Sequence, residues 1–165
     1  PGTLKAYAEY VRRSENPLPL LVADLGEQPA EAILREIGEP RLRGMLRLAG
    51  YIPNSDLPAI YNEASAFLYT SLRESFGIPQ LEAMACGTPV VTSATSAIPE
   101  VAGEGAILVD PTDPKAIADA LLRLETDAAF RARQVAYGLD RVKQFSWEKT
   151  ARHLLALYES LGKTN

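Results

Sequence analysis

Apolar and polar positions alternate along this chain with two different periods. Short apolar runs predict buried strands at 18–23, 46–52, 66–69, 89–92 and 106–109. Between these runs, apolar residues recur every three or four positions, which is the period of an amphipathic helix. Strands and helices that alternate in this way are typical of a parallel sheet with helices on both faces. We therefore predict an α/β domain with a doubly wound, Rossmann-like parallel sheet of about five strands.

Cap residues and first-turn prolines mark the predicted helix starts. These marks fall at Thr3, Pro29, Ser55 or Asp56, Pro79, Asp113 with Pro114, Asp127 and Ser146. Helix ends are predicted at Gly38 and Gly87, since glycine tolerates the left-handed backbone that often follows a helix. The chain opens on a helix, whereas a doubly wound domain normally opens on a strand. We therefore expect the first strand of the domain to precede Pro1.

The last predicted helix carries an apolar stripe. Its members are Trp147, Thr150, Ala151, Leu154, Leu155 and Tyr158. Because such a stripe normally packs on a core, we predict that Trp147 and Tyr158 are core residues rather than platforms for a sugar. His153, the only histidine, lies on the same helix and is predicted to be a surface or packing residue.

Composition and charge narrow the class of protein. The chain has 165 residues, 47% apolar and 23% charged, which suits one globular domain over residues 1–165. The net charge of −4 argues against a partner made of nucleic acid. Cys86 is the only cysteine, which excludes an internal disulfide and favours a reducing, cytoplasmic setting; we predict that it is a small buried residue. No apolar run is long enough to predict a transmembrane segment.

The segment that follows the third predicted strand has the pattern of an anion site. Ligands of such sheets bind at the carboxyl ends of the strands. Pro79 starts a helix there, so the amides of Phe76, Gly77 and Ile78 lie at its unpaired N-terminal end. Gly77 also allows the backbone to approach a ligand closely. A diphosphate would be stabilised by these amides and by the helix dipole.

Two carboxylates flank this helix start. Glu74 lies in the preceding loop, and Glu82 is predicted in the first turn of the helix. A carboxylate accepts two hydrogen bonds at once, which suits the diol of a ribose or a hexose. Glutamates at such positions are also common as dipole partners or as solvated loop residues. From the residues alone, both interpretations of these carboxylates stay open.

The same segment resembles the signature of the retaining glycosyltransferase family 4. Glu74 and Glu82 reproduce that family's Glu-x7-Glu spacing. Segments that resemble the neighbouring family motifs occur in the expected order, at 49–64, 98–103, 109–111 and 145–147. The resemblance covers nearly the whole chain. It implies the C-terminal, donor-binding domain of an enzyme with two Rossmann-like domains, the GT-B fold.

The resemblance also implies a role for each matched residue. Glu74, the catalytic candidate, would hold the transferred sugar through a hydroxyl, and Glu82 would hold the ribose hydroxyls of the nucleotide. The remaining donor-binding residues would be Ser75, Phe76, Gly77 and Ile78 at the sugar and diphosphate, and Gly50, Tyr51 and Ile52 against the base. Many relatives have proline in place of Thr70 and glycine in place of Ser75, but neither departure removes a donor or a carboxylate on which the prediction depends.

The reaction implied is sugar transfer from a nucleotide-diphosphate sugar to an acceptor hydroxyl with retention of configuration. No metal or other cofactor is implied, because an arginine and a lysine on and after the domain's first strand neutralise the diphosphate. Both would precede Pro1, so we expect the chain by itself to be inactive. The acceptor, a glycan, lipid or small molecule, would bind to an N-terminal domain that also attaches many relatives to membrane surfaces.

Two other classes of protein compete with this interpretation. A dinucleotide-binding dehydrogenase module requires Gly-x-Gly-x-x-Gly after its first strand, and no such run occurs in the chain. A non-catalytic nucleotide-binding or interaction domain would instead use an unpaired sheet edge to bind another chain. NADH binding and dimer formation, respectively, would distinguish these alternatives from a sugar-nucleotide site.

Overall fold

The computed structural model describes residues 2–162. Its strands are β1 (Leu20–Ala23), β2 (Leu46–Gly50), β3 (Phe67–Tyr69), β4 (Val90–Ser93) and β5 (Ala106–Val109). The helices are α1 (Gly2–Arg13), α2 (Glu27–Ile37), α3 (Leu42–Met45), α4 (Leu57–Glu63), α5 (Ile78–Ala85), α6 (Ile98–Ala102), α7 (Pro114–Thr126), α8 (Ala128–Val142) and α9 (Trp147–Gly162). Every predicted strand is present, which confirms the predicted α/β class.

The strands form two parallel sheets, with the orders β1-β2 and β3-β4-β5. Within residues 2–162, no ladder hydrogen bond joins the two sheets, whereas the sequence predicted one sheet. Helix α1 connects them through packing instead. Its Tyr7 and Val11 belong to the core beside β1 and β2, and its Ala6 belongs to the core beside β4 and β5.

Strand β4 is buried and divides the core into two layers. Val91 packs in one layer with Ile117 of α7. Val90 packs in the other layer with Met84 of α5 and Ile98 of α6. Because successive side chains point to opposite faces of a strand, helices cover both faces of this sheet, as in a doubly wound fold. Each fully buried side chain of this size contributes about 1.5–3 kcal/mol.

Several helix boundaries follow from the predicted cap chemistry. Asp113 Oδ1 accepts hydrogen bonds from the amides of Lys115 (2.9 Å) and Ala116 (3.2 Å) at the start of α7. Asp127 Oδ1 accepts from the amide of Phe130 (2.8 Å) at the start of α8. Gly38 ends α2 with a left-handed φ of 68°. These local signals therefore fixed the boundaries of helices that also pack in the core.

At two other helices the predicted cap side chain makes no capping hydrogen bond, although Asp56 does occupy the predicted N-cap position of α4. Thr3 lies inside α1 rather than before it, and its Oγ1 is hydrogen-bonded to Thr70 Oγ1 at 2.9 Å. Asp56 precedes α4, but its side chain makes no cap hydrogen bond and accepts from Ser55 Oγ instead (3.0 Å). In both cases a neighbouring hydroxyl provides the partner that the prediction assigned to a helix amide.

Helix α9 does not pack as predicted. Trp147 is 81% exposed and Tyr158 is 64% exposed, and no residue of α9 is buried within the described chain. The prediction that both are core residues was therefore wrong, because the described residues provide no surface opposite the apolar stripe. Phe145, just before α9, does pack, with its ring edge-to-face against Phe76 at 5.8 Å between centroids.

Two smaller findings complete the description of the fold. Cys86 is half-buried just after α5, against the core that contains Val90, rather than buried as predicted. No helix among residues 2–162 combines the length and the apolar character that crossing a membrane would require.

Candidate functional site

The loop between β3 and α5 ends in a turn that leaves three amides unpaired. Gly77 precedes α5 with a left-handed φ of 84°. No acceptor among residues 2–162 pairs with the amides of Phe76, Gly77 or Ile78. These N–H groups lie at the positive end of the helix dipole. The turn therefore has the geometry of an anion site, as the sequence predicted.

Gln80 supports this turn from inside the protein. Its side chain is fully buried, and its Nε2 donates to the carbonyl of Phe76 at 3.4 Å. A Cβ atom at position 77 would lie only 2.9 Å from that nitrogen, so the packing as well as the positive φ requires glycine there. The other amide atom of Gln80, Oε1, has no partner within the described residues.

The carboxylate of Glu74 is held by a tyrosine. Tyr69 lies at the end of β3 and donates from its hydroxyl to Glu74 Oε1 at 2.6 Å. Burial raises the pKa of the Tyr69 phenol above its usual range, and the hydrogen bond to Glu74 raises it further. The phenol is therefore neutral at physiological pH and acts as the donor, while Glu74 keeps its second oxygen for another partner.

The carboxylate of Glu82 lies beside a second tyrosine. Because α5 begins at Ile78, Glu82 occupies its second turn and not the first turn that the sequence predicted. Its Oε2 lies 3.5 Å from the hydroxyl of Tyr61, on α4. Burial, followed by the nearby charge of Glu82, raises the pKa of Tyr61 from 10.0 to about 12.

A row of aromatic rings brings the two carboxylates to one side of the sheet. The ring of Phe67 lies 5.2 Å from that of Tyr61 and 5.7 Å from that of Tyr69, measured between centroids. Phe67 and Tyr69 are two residues apart on β3, so their side chains share a face. At the two ends of the row, the hydroxyl of Tyr69 contacts Glu74 and that of Tyr61 contacts Glu82. The two carboxylates therefore lie on one side of the sheet, and in the sequence they flank the unpaired amides.

Hydroxyl groups from β4 hold the start of the same loop. Thr92 Oγ1 donates to the carbonyl of Tyr69 at 2.9 Å, and Ser93 Oγ donates to the carbonyl of Ser71 at 2.5 Å. Both side chains belong to buried residues. Buried polar groups cost free energy unless they are paired, and these pairs satisfy the two hydroxyls while they tie the end of β3 and the start of the loop to β4.

Ser96 holds the backbone of Glu74 itself. Its Oγ donates to the carbonyl of Glu74 at 2.7 Å and accepts from the amide of Glu74 at 3.2 Å. Ser96 adopts a left-handed φ of 60°, which is unusual for a residue other than glycine. Sequence reasoning overlooked Ser96 and the two tyrosines, since the partners of all three are distant in the sequence or belong to another element.

The predicted base-binding turn lies at the end of β2, in the other sheet. Gly50 has a left-handed φ of 61°, and its carbonyl accepts from the amide of Asp24 at 2.9 Å. Tyr51 is 76% exposed and Ile52 is half-buried. Among the described residues, no hydrogen bond connects this turn to the segment that carries Glu74 and Glu82. The role of the turn against a base stays a prediction.

Other polar groups that could form a site are exposed on the surface or paired with neighbouring charges. His153 is exposed on α9, and Arg73 is an exposed residue whose guanidinium has no ion pair within residues 2–162. A groove between α1, α2 and the start of α7 is lined mostly by charged residues, several of which pair with each other, as Lys5 does with Glu36 at 2.7 Å. Among the described side chains, no group of three or more histidines, cysteines, aspartates or glutamates is placed to hold a metal ion.

Comparison with known proteins identifies the family. The model of the family described as glycosyl transferases group 1 matches residues 2–141, so the chain belongs to that family. It is 35% identical over 160 residues to the O-antigen chain mannosyltransferase B of Escherichia coli, covering 97% of this chain and 42% of that protein. The chain therefore spans about two fifths of the length of this relative.

Solved structures share the fold. The sucrose-phosphate synthase of Thermosynechococcus elongatus superposes with a TM-score of 0.81 at 27% identity, covering 98% of this chain and 43% of that one. Anabaena Alr3699/HepE in complex with UDP-glucose superposes with a TM-score of 0.80 at 19% identity, covering 94% of this chain and 44% of that one. These matches confirm the predicted GT-B type of fold. The glycosyltransferase relationship is confirmed by the family match and the mannosyltransferase relative, while the assignment to family 4 stays a prediction.

Proposed function

We propose that this chain is the donor-binding domain of a retaining glycosyltransferase, which moves a sugar from a nucleotide-diphosphate sugar to an acceptor hydroxyl. One observation carries the proposal: two carboxylates, each beside a tyrosine hydroxyl, flank three unpaired amides at the start of α5. Amides suit the diphosphate, and carboxylates suit the hydroxyls on either side of it. The family and the UDP-glucose complex of the Anabaena protein support this chemistry.

The proposed roles follow the order of groups in the donor. The amides of 76–78 contact the diphosphate and the adjoining sugar, with Ser75 on the approach to them. Glu74 accepts from a hydroxyl of the transferred sugar, and Glu82 accepts from the ribose hydroxyls. The turn of Gly50, Tyr51 and Ile52 faces the base. Glu74 is the catalytic candidate, because it alone among these side chains would touch the sugar at which the bond changes.

The isolated chain is proposed to bind its donor weakly and to transfer no sugar. It spans about two fifths of the length of its mannosyltransferase relative, and in the proposal the acceptor binds to the other domain of the enzyme. The flanking side chains at the turn are carboxylates, which do not neutralise a diphosphate. Without charge-assisted contacts from basic groups, we expect a Kd of about 1 mM or weaker.

The proposal is tested by titrating the chain with UDP, GDP, UDP-glucose and GDP-mannose, with binding followed by NMR. For the nucleotide and the matching nucleotide sugar that bind, Glu82→Gln should raise the Kd of both ligands by about tenfold. Glu74→Gln should raise the Kd of the nucleotide sugar only, since the free nucleotide has no sugar hydroxyl for Glu74 to contact. Binding of NADH in preference to all four ligands would instead support the dehydrogenase alternative.

A control variant separates these effects from a general loss of negative charge. Glu148→Gln removes a carboxylate on α9 whose one ion pair among residues 2–162 is with Arg152 on the same helix. It should leave both affinities unchanged. Equal losses in all three variants would contradict the assigned roles. Measurable transferase activity of the purified 165-residue chain would contradict its proposed inactivity.

A further inference from the structure

We propose that Tyr69 and Ser96 are positioning residues that fix Glu74 for contact with the transferred sugar, so that they set how much affinity the sugar adds to the nucleotide. The inference rests on the proposed function, because it assumes that Glu74 meets the sugar. It concerns two side chains that hold a glutamate which lies in a loop and would otherwise have considerable conformational freedom.

Tyr69 fixes the side chain of Glu74. The phenol donates to Glu74 Oε1 at 2.6 Å, a short hydrogen bond to a carboxylate. The ring of Tyr69 is itself held by stacking on Phe67 at 5.7 Å, so the donor has little freedom to follow a moving carboxylate. One carboxylate oxygen is therefore anchored, and the described residues leave Oε2 available to a ligand.

Ser96 fixes the backbone of Glu74. One hydroxyl pairs with both the amide and the carbonyl of the same residue, which restricts the two peptide planes next to its Cα. Ser96 achieves this in a left-handed conformation, with φ of 60°. Glycine would adopt that conformation at lower cost, and strained residues of this kind concentrate at functional sites. The hydroxyl is thus the feature that distinguishes serine from glycine here.

The two contacts act on different parts of one residue, and together they limit where Oε2 can lie. Orientation of a bound group contributes to binding and to reaction only when the contacting atom is already in place. Neither Tyr69 nor Ser96 needs to touch the ligand for this effect. Their removal should therefore reduce the contribution of the sugar and leave that of the nucleotide intact.

The test compares Tyr69→Phe and Ser96→Gly with the unchanged chain, using the ratio of Kd for UDP to Kd for UDP-glucose, or for GDP and GDP-mannose if that pair binds. We expect each variant to lower this ratio by about threefold to tenfold, which is the size of effect that the lost contact of the sugar with Glu74 would have. The Kd of the free nucleotide should change by less than about twofold.

The melting temperature of the Ser96→Gly variant separates positioning from folding. Glycine relieves the left-handed strain, so this variant should melt at the same or a higher temperature while its ratio falls. Tyr7→Phe is the matched control for Tyr69→Phe. It removes a hydroxyl that donates to a carbonyl at the same distance of 2.6 Å, to Leu18 before β1, a strand of the other sheet.

The outcomes are distinguishable. If the unchanged chain binds none of the four ligands, the proposed function fails and takes this inference with it. If the chain binds them but neither variant lowers the ratio, the inference alone is overturned. A fall in ratio after Tyr7→Phe equal to that after Tyr69→Phe would also overturn it, because the effect would then be one of general stability. A ratio of the two Kd values near one in the unchanged chain would also overturn the inference, because the sugar would then add no affinity.

Discussion

Helices α5 and α9 show how differently two apolar helical segments of one chain can be used. In α5, Gln80, Ala83 and Met84 are buried, and the start of the helix forms the candidate anion site. In α9, no residue is buried within the described chain, although the apolar stripe predicted from the sequence is present. A periodic pattern thus predicts that a helix has an apolar face. Whether the same chain provides the surface that covers it depends on tertiary structure.

The largest expected difference between the two helices is in stability. Met84 of α5 is 1% exposed and packs beside Val90, so Met84→Ala should lower the free energy of unfolding by about 2–5 kcal/mol, through lost burial and the cavity left behind. Chemical denaturation of the 165-residue chain measures this value. A loss below about 1 kcal/mol would show that α5 is no better packed than α9.

A smaller effect is expected at the turn that begins α5. Gly77→Ala should lower the free energy of unfolding by about 1–2 kcal/mol, because alanine is strained at a φ of 84° and its Cβ would press on Gln80. Gly44→Ala is the control, since Gly44 lies in α3 and a Cβ there meets nothing within 4 Å. In denaturation experiments, the control should leave the free energy of unfolding unchanged or raise it. Equal losses in the two variants would contradict the account of the turn.

Alkaline pH should weaken the protein through the tyrosines that hold the site. The pKa of Tyr61 is raised from 10.0 to about 12, so the folded state retains a proton that the unfolded state releases. This contribution to stability is present below pH 10 and is lost as the pH rises through 12. Denaturation between pH 8 and pH 11 should show a falling free energy of unfolding with a shallower slope in Tyr61→Phe. Identical slopes would rule out this coupling.

The smallest effect is expected in α9. Leu155 is 59% exposed, so Leu155→Ala should change the free energy of unfolding of this chain by less than about 0.5 kcal/mol. The comparison with Met84→Ala uses the same denaturation measurement and two apolar side chains of similar size. A loss comparable with that at Met84 would show that α9 packs on the domain in solution.

Local chemistry explains what the sequence predicted well. The cap at Asp113 acts on amides two and three residues away, and the left-handed glycine at Gly38 ends a helix by its own backbone preference. The strand at 106–109 is a short apolar run that matches β5 at both ends. The anion-site geometry at 76–78 follows in the same way from Gly77 and Pro79. None of these features requires knowledge of a distant partner.

Tertiary partners explain what the sequence missed. Helices α3 and α6 are too short to show a period. The division into two sheets depends on which strand edges meet. The contact between Ser96 and Glu74 joins residues that are 22 positions apart, and the contact of Tyr61 with Glu82 spans 21. In each case the signal lies in packing and not in spacing along the chain.

The most direct test of the central claim is to map the binding of a nucleotide sugar on the chain by two-dimensional amide NMR. The account predicts that UDP-glucose or GDP-mannose shifts the backbone amides of Phe76, Gly77 and Ile78 more than any others, because they contact the diphosphate. Shifts confined to the charged groove between α1 and α2 or to the apolar face of α9, with none at the turn, would contradict it.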